Sequence, residues 1–432
     1  KEFSKFFNYK KIFLKKKLEE KCNMVNNDNE IQNYFENKPE RRNDIDAIRV
    51  FAVILLIYFH TAMIFNIWSG FHIQNNELSV GMALFVFFIY MWHMPLFFFL
   101  AGMSTFYSLH FRTDKQYLKE RFKRLFIPFL LGILIVVPPQ VYFERLAWWC
   151  ETRWSPINFN GSYIEFYPQF FTGSYPNGNF SWHHLWFLLY LFFISLVALP
   201  LFLCLKKEKG KQIVNHLGAY FERGRRIFQL VIPLIIINIS LRGIFYDSYG
   251  FFNDWASILF FLTIFIFGFL IMFDTRFEHS IARNKRMALT LGVIIALFIL
   301  LIYISINTSP NSSSGSSTSV GAFIGYSIFW GLFSLCSWCW LIAILGYGRT
   351  YLNKQSSLID HLSEIALPFY ILHETVIIII GFYIVQMDAN ILVKYLVIST
   401  SALLITVLLC ELVKTNNITR FIFGMRPRDK KI

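Results

Sequence analysis

Charge is what this chain has least of. Asp, Glu, Lys and Arg make up only 16% of its 432 residues, 55% are hydrophobic, and the mean hydropathy is +0.47. That balance excludes an ordinary soluble domain and points to several membrane crossings. Cysteine is scarce as well. Of six, only Cys336 and Cys339 lie close together, inside the apolar run from Leu335 to Leu341, and no second pair completes a zinc site. The pair reads as helix packing, and no metal site has ligands at convincing spacing. The first 43 residues lack an apolar stretch, so no cleavable signal peptide is expected; Met24 is a candidate natural start. A strong internal repeat, the mark of an inverted-repeat transporter, is missing too.

What remains is rich in aromatics, with 50 Phe and 11 Trp, as lipid contact and interfacial belts require. The net charge of +14 suggests nucleic acid until its distribution is considered. Apolar runs fall at 46–67, 80–108, 125–144, 185–204, 227–244, 255–273, 287–306, 321–346, 363–386 and 391–412, which predicts an all-α integral membrane protein of about ten spanning helices. The connectors 109–124, 205–226, 274–286 and 347–362 are basic, as are both tails. The alternate connectors 68–79, 245–254, 307–320 and 387–390 contain no Lys or Arg, and 145–184 has only Arg145 and Arg153. By the positive-inside rule both termini are expected in the cytoplasm, and no nucleic-acid partner is expected.

The organisation follows: a basic cytoplasmic segment at 1–43, a multi-pass domain at 44–412 and a basic tail at 413–432. Lys10, Lys11, Lys15, Lys16 and Lys17, interleaved with Phe, suit a membrane surface or a disordered tail. The Trp- and Tyr-rich stretch 145–184 is the large outer segment, suited to a sugar, a lipid headgroup or an interfacial lid. The Ser-rich 307–320 reads as a linker. Sequons at Asn160, Asn307 and Asn311 fall in expected outer connectors.

Arg49 and His60 are the most informative pair. Eleven helical steps of about 100° return to within about 20° of the same face, with the side chains about 16 Å apart along the axis. Ionisable groups inside lipid are costly and mark cavities and functional paths. His93, His184, His373 and Glu374 fall at other depths and make a polar ladder if they face the same cavity. Each alone reads equally well as a packing or interfacial residue. Arg121 and Arg124, at i and i+3 where the third span begins, suit a phosphate clamp or an ordinary positive-inside anchor.

The arrangement from Asp44 through Arg49, ten further residues and then His60 resembles the first-helix motif of the membrane acyltransferase-3 family. The run from Met94 to Ser104, with Ala101 where that family usually has Ser, is similar to its second-helix motif. Arg121-x-x-Arg124 matches its third-helix motif, and the stretches beginning at His184 and ending at Leu367-Pro-Phe-Tyr-Ile-Leu-His373 resemble two later ones. The last is similar to the subgroup that includes periplasmic-glucan succinyltransferases.

This resemblance implies a ten-helix O-acyltransferase that takes acetyl- or succinyl-CoA as co-substrate, with no tightly bound cofactor, and delivers the acyl group to a non-cytoplasmic glycan. It implies His60 as catalytic residue, Arg49 as its partner in the pore, and Arg121 and Arg124 as contacts to CoA phosphates. His93, His184, His373 and Glu374 are weaker pore candidates. A histidine fits the chemistry as base or as nucleophile. Arg49 is too far from His60 to stabilise an oxyanion there, so it is expected to grip the donor's arm or order the pore, with His373 or Glu374 beside His60. The rival readings are a proton-coupled transporter using the same residues as a relay, and an inactive sensor that keeps the fold.

Overall fold

The computed structural model describes residues 42–147, 149, 157–245, 250–308 and 319–428. In chain order the helices are α1 (Asn43–Met63), α2 (Val80–Tyr90), α3 (His93–Phe111), α4 (Asp114–Arg121), α5 (Ile127–Ile135), α6 (Val137–Leu146) and α7 (Tyr163–Gln169). There follow α8 (Trp186–Leu205), α9 (Glu208–Phe221), α10 (Val231–Leu241), α11 (Trp255–Phe273), α12 (Thr275–Thr308), α13 (Ser319–Tyr351), α14 (Ser357–Ile384), α15 (Ile391–Thr415) and α16 (Asn417–Ile422). Among the described residues there are two isolated β-bridges and no strand. Among the described residues nine segments are long and apolar enough to cross a membrane: α1, α2–α3, α4–α6, α8, α11, α12, α13, α14 and α15. The protein is therefore an all-α, multi-pass integral membrane protein.

The difference from ten lies at 227–244. There a 3₁₀ turn over Arg226–Leu230 precedes the 11 residues of α10. Together they form one apolar helical segment, Arg226–Leu241, that rises about 26 Å, slightly short of a core about 30 Å thick. Two expected spans are broken rather than continuous. Val80–Phe111 interrupts at Met91–Trp92, and α3 restarts with Pro95 in its first turn, where a missing N–H costs nothing. Asp114–Leu146 contains a π-helical turn over Phe122–Phe126 and a second break at Val136, just before Pro138 and Pro139. The expected 274–286 connector is instead the first part of α12, because its basic residues continue the helix beyond the apolar stretch.

Inside lipid, helices gain little from burying apolar surface against each other, so they associate where small residues let backbones meet. α3 and α11 do this reciprocally. A Cβ at Gly102 would overlap the carbonyl of Phe265, and one at Gly268 the carbonyl of Phe99. Stacked rings fill the remaining space, such as Phe202 on Phe269 with centroids 3.8 Å apart. α12 and α13 pack along their length, and Cys336 and Cys339 are free and buried in α13. α1 is surrounded by α13, α14, α15 and α2, which turns its Arg49–His60 face inward toward α14.

The chain beyond 412 joins the bundle: buried Arg420 of α16 pairs with Glu364 of α14, and Gly424 accepts a hydrogen bond from Arg124. Asn160 and Asn307 are exposed. Residues 1–41, with their lysine run, and 309–318, with Asn311, lie outside the described residues, as do 429–432.

Candidate active site

The apolar run of α1 makes it helical, and the acidic residues Asp44 and Asp46 in its first turn complement the helix dipole. Arg49, one turn further, donates to Asp46 Oδ1 and to Ser104 Oγ of α3, both at 2.8 Å. Both contacts hold the guanidinium at the wall of a cavity of about 620 Å³. Arg121, Arg124, Arg112 and Arg426 line the same cavity, facing Glu120 and Glu364. Arg121 donates to Thr105 Oγ1 at 2.9 Å and lies over the Tyr117 ring. Arg124 donates to the Gly424 carbonyl at 3.0 Å and pairs with Glu120 at 3.4 Å. Arg121 immediately precedes the π turn and Arg124 lies within it, so the turn between them is wider than their spacing implies, yet both reach the cavity. Further in, the walls become apolar, with Phe97, Leu100 and Leu191, and the cavity reaches Tyr370 of α14.

One turn beyond Tyr370, α14 presents His373 and Glu374, almost wholly buried. His60 meets them from α1. Its ring centroid is 5.1 Å from that of His373, and its Nδ1 is 3.6 Å from Glu374 Oε2. That separation is just outside hydrogen-bond reach, as catalytic contacts often are before substrate binds. His184, from the 3₁₀ turn that opens α8, brings Nδ1 to 3.5 Å from the same oxygen. Two of these rings have their tautomer fixed: His184 Nε2 donates to the Ile371 carbonyl at 2.9 Å, and His373 Nδ1 to the Tyr370 carbonyl at 2.6 Å. The lone pair of His184 Nδ1 then accepts from Gln140 Nε2 at 3.3 Å. His60, His184, His373 and Glu374 thus form one cluster. His93 hydrogen-bonds elsewhere: its Nε2 donates to the Ala52 carbonyl at 2.8 Å and ties α3 to α1.

A second buried group adjoins this cluster, made of residues that sequence reasoning missed. His72, on the connector between α1 and α2, places Nδ1 2.5 Å from Glu144 Oε2 and Nε2 3.2 Å from Glu374 Oε1. Arg145 Nη1 donates to Glu144 Oε1 at 2.9 Å, and the Tyr175 hydroxyl to the same atom at 3.1 Å. Arg145 also holds Asn179 and the Gly178 carbonyl, fixing part of the 145–184 segment. His72, Glu144 and Arg145 are fully buried. Burial pushes the His72 imidazole down, but the two carboxylates on its nitrogens outweigh this and raise its pKa to about 9. Two carboxylates are then balanced by His72 and Arg145, the condition under which buried charges are tolerable.

Gln140 and Glu144, four apart at the end of an apolar run, were the available sequence signal. The donor atoms of His60, His373 and Glu374 lie within 4.8 Å of one another, as do those of His72, Glu144 and His183. In the second trio the close His72–Glu144 contact is that of a hydrogen-bonded pair.

The family model described as "Acyltransferase domain", the acyltransferase-3 family, matches residues 42–413. The chain is also similar to proteins named Glucans biosynthesis protein C from Salmonella heidelberg (strain SL476), Salmonella typhimurium (strain LT2) and Salmonella typhi. Each is 24% identical over 406 residues, covering 90% of this chain and 95% of the relative. No solved structure matches significantly.

Proposed function

The chain belongs to the acyltransferase-3 family and is a membrane acyltransferase, and from that premise we propose that it moves an acyl group from acyl-CoA to a hydroxyl of a glycan on the opposite side of the membrane. One observation carries this reading: an arginine-lined cavity ends one helical turn from a buried histidine–glutamate cluster. Its volume lies in the range of small-molecule sites. The arginine end faces the cytoplasm, in keeping with the basic connectors there. Arg121 and Arg124 bind the phosphates of CoA, Arg49 steadies the extended arm, and the thioester reaches toward His60. The acceptor is a carbohydrate, in keeping with the names of the relatives.

His60 accepts the acceptor's hydroxyl proton as the oxygen attacks the thioester carbonyl. The C–O bond forms, the C–S bond breaks, and His60 returns the proton to the departing thiolate. Glu374 orients His60 and stabilises its protonated form, the role a carboxylate plays beside a catalytic histidine. A proton relay for transport needs no phosphate clamp, which favours the enzyme over the transporter.

The test is thiol release by purified protein in nanodiscs with acetyl- and succinyl-CoA and a glucan acceptor. Release by the wild type that His60→Ala abolishes supports the reading. Absence of both release and any CoA-dependent thermal shift refutes it.

A further inference from the structure

We propose that His72 and Glu144 are a positioning pair that holds Glu374 in the orientation facing His60. The proposal rests on the acyl-transfer reading above, and adds two residues for which that reading has no role.

The geometry is a chain across three elements. Glu374 on α14 has one oxygen toward His60 and His184 and the other toward His72 Nε2, at 3.2 Å. His72 arrives from the α1–α2 connector and has its second nitrogen on Glu144 of α6, at 2.5 Å. Glu144 is held in turn by Arg145 and by the hydroxyl of Tyr175, within the 145–184 segment. An imidazole with both nitrogens on carboxylates is fixed in position and in ring orientation, and it fixes whatever it bonds. Glu374 Oε2 has no hydrogen-bond donor of its own, and on Oε1 the carboxylate meets His72 Nε2 in a 3.2 Å ion-pair contact, which biases its direction. The pair has no reason to conduct protons. Acyl transfer is proton-neutral, because the hydroxyl proton ends on the CoA thiol, so a buried path leading away from His60 has nothing to carry. Its role is to keep one carboxylate aimed at one imidazole, and a misaimed group costs orders of magnitude in rate.

The test uses Glu144→Gln, which keeps the shape and an acceptor oxygen but loses the charge, and His72→Gln, which offers an amide donor on a shorter reach. Two readouts are taken on protein in nanodiscs. The first is thiol release, resolved into kcat and donor KM. The expected result for Glu144→Gln is a kcat at least tenfold lower with donor KM within twofold of wild type. His72→Phe is expected to be worse than His72→Gln, since Phe restores packing but no hydrogen bond. The second readout is the rate of diethyl pyrocarbonate modification at His60, followed by mass spectrometry, which requires no turnover. A threefold or larger change in that rate in Glu144→Gln supports positioning. Wild-type rates by both readouts, or a loss of kcat explained entirely by a lowered melting temperature with His60 reactivity unchanged, overturn it. If wild type itself releases no thiol, the function falls while the His60 reactivity still decides the positioning.

Discussion

Replacing Arg121 by Ala separates binding from chemistry, because this side chain lies at the far end of the cavity from His60. In the structure Arg121 has one protein hydrogen bond, to Thr105 Oγ1 at 2.9 Å, and lies over the Tyr117 ring. Its remaining donors face a cavity it shares with Arg49, Arg112, Arg124 and Arg426. A hydrogen bond to a charged partner is worth about 1.5–3 kcal/mol. The site is partly exposed and four other arginines remain, so the lower end applies, about 1.5 kcal/mol or roughly tenfold in KM.

The assay is thiol release over a range of acyl-CoA, repeated with a pantetheine thioester that lacks the nucleotide and its phosphates. For acyl-CoA, Arg121→Ala is expected to raise KM about tenfold and leave kcat nearly unchanged, as removal of uniform binding does. For the truncated donor it is expected to change neither. Added salt is expected to raise wild-type KM for acyl-CoA and to affect the variant less. Equal losses on the two donors, or a fall in kcat at constant KM, would refute the assignment of this end of the cavity to phosphates.

Stability is expected to depend on pH through His72. The charged groups facing it are Glu144 and Glu374, with Arg145 behind Glu144 and the His183 ring edge-on. Its folded pKa, raised to about 9, lies above the unfolded value near 6.5. The stabilisation is therefore complete below about pH 6.5 and lost as pH rises through about 9, a change of about 3 kcal/mol. Thermal melts between pH 6.5 and 9.5 should show a falling midpoint, with a smaller fall in His72→Phe; a flat wild-type profile contradicts the pairing. At the α3–α11 crossing, Gly268→Ala forces the backbones apart and is expected to cost about 1–3 kcal/mol. The check is a detergent melt against an alanine variant at exposed Gly325, where a Cβ meets nothing within 4 Å.

The parts of this molecule written in local pattern were legible in the chain. Apolar runs gave the spans because lipid demands length and composition from each segment separately. The Arg49–His60 relation was legible because both lie on one unbroken helix, whose period is fixed. At 227–244 hydropathy shows the apolar run but not its winding: the chain there is a 3₁₀ turn running straight into α10, a shorter apolar helix over Arg226–Leu241. His72 was missed because a histidine in a short polar connector looks solvated; only the fold brings it against Glu144 and Glu374, 72 and 302 residues away. Glu144 and Arg145 stood at the margin of a span, where charges usually snorkel to water, and instead turned inward.

The π turn that follows Arg121 and contains Arg124 has a consequence for how this region tolerates changes in length. A π turn holds one residue more than the α-helix around it. Deleting Phe122 or Lys123 would let the hydrogen-bond ladder close as ordinary α-helix, so this stretch would stay helical. Everything on the N-terminal side, however, would swing by about 100° relative to the rest. Arg121 would leave the cavity while Arg124 stayed. The arginine pair is therefore held in a reading frame of its own, set by one surplus residue, and a deletion silent to folding would be felt by the donor alone.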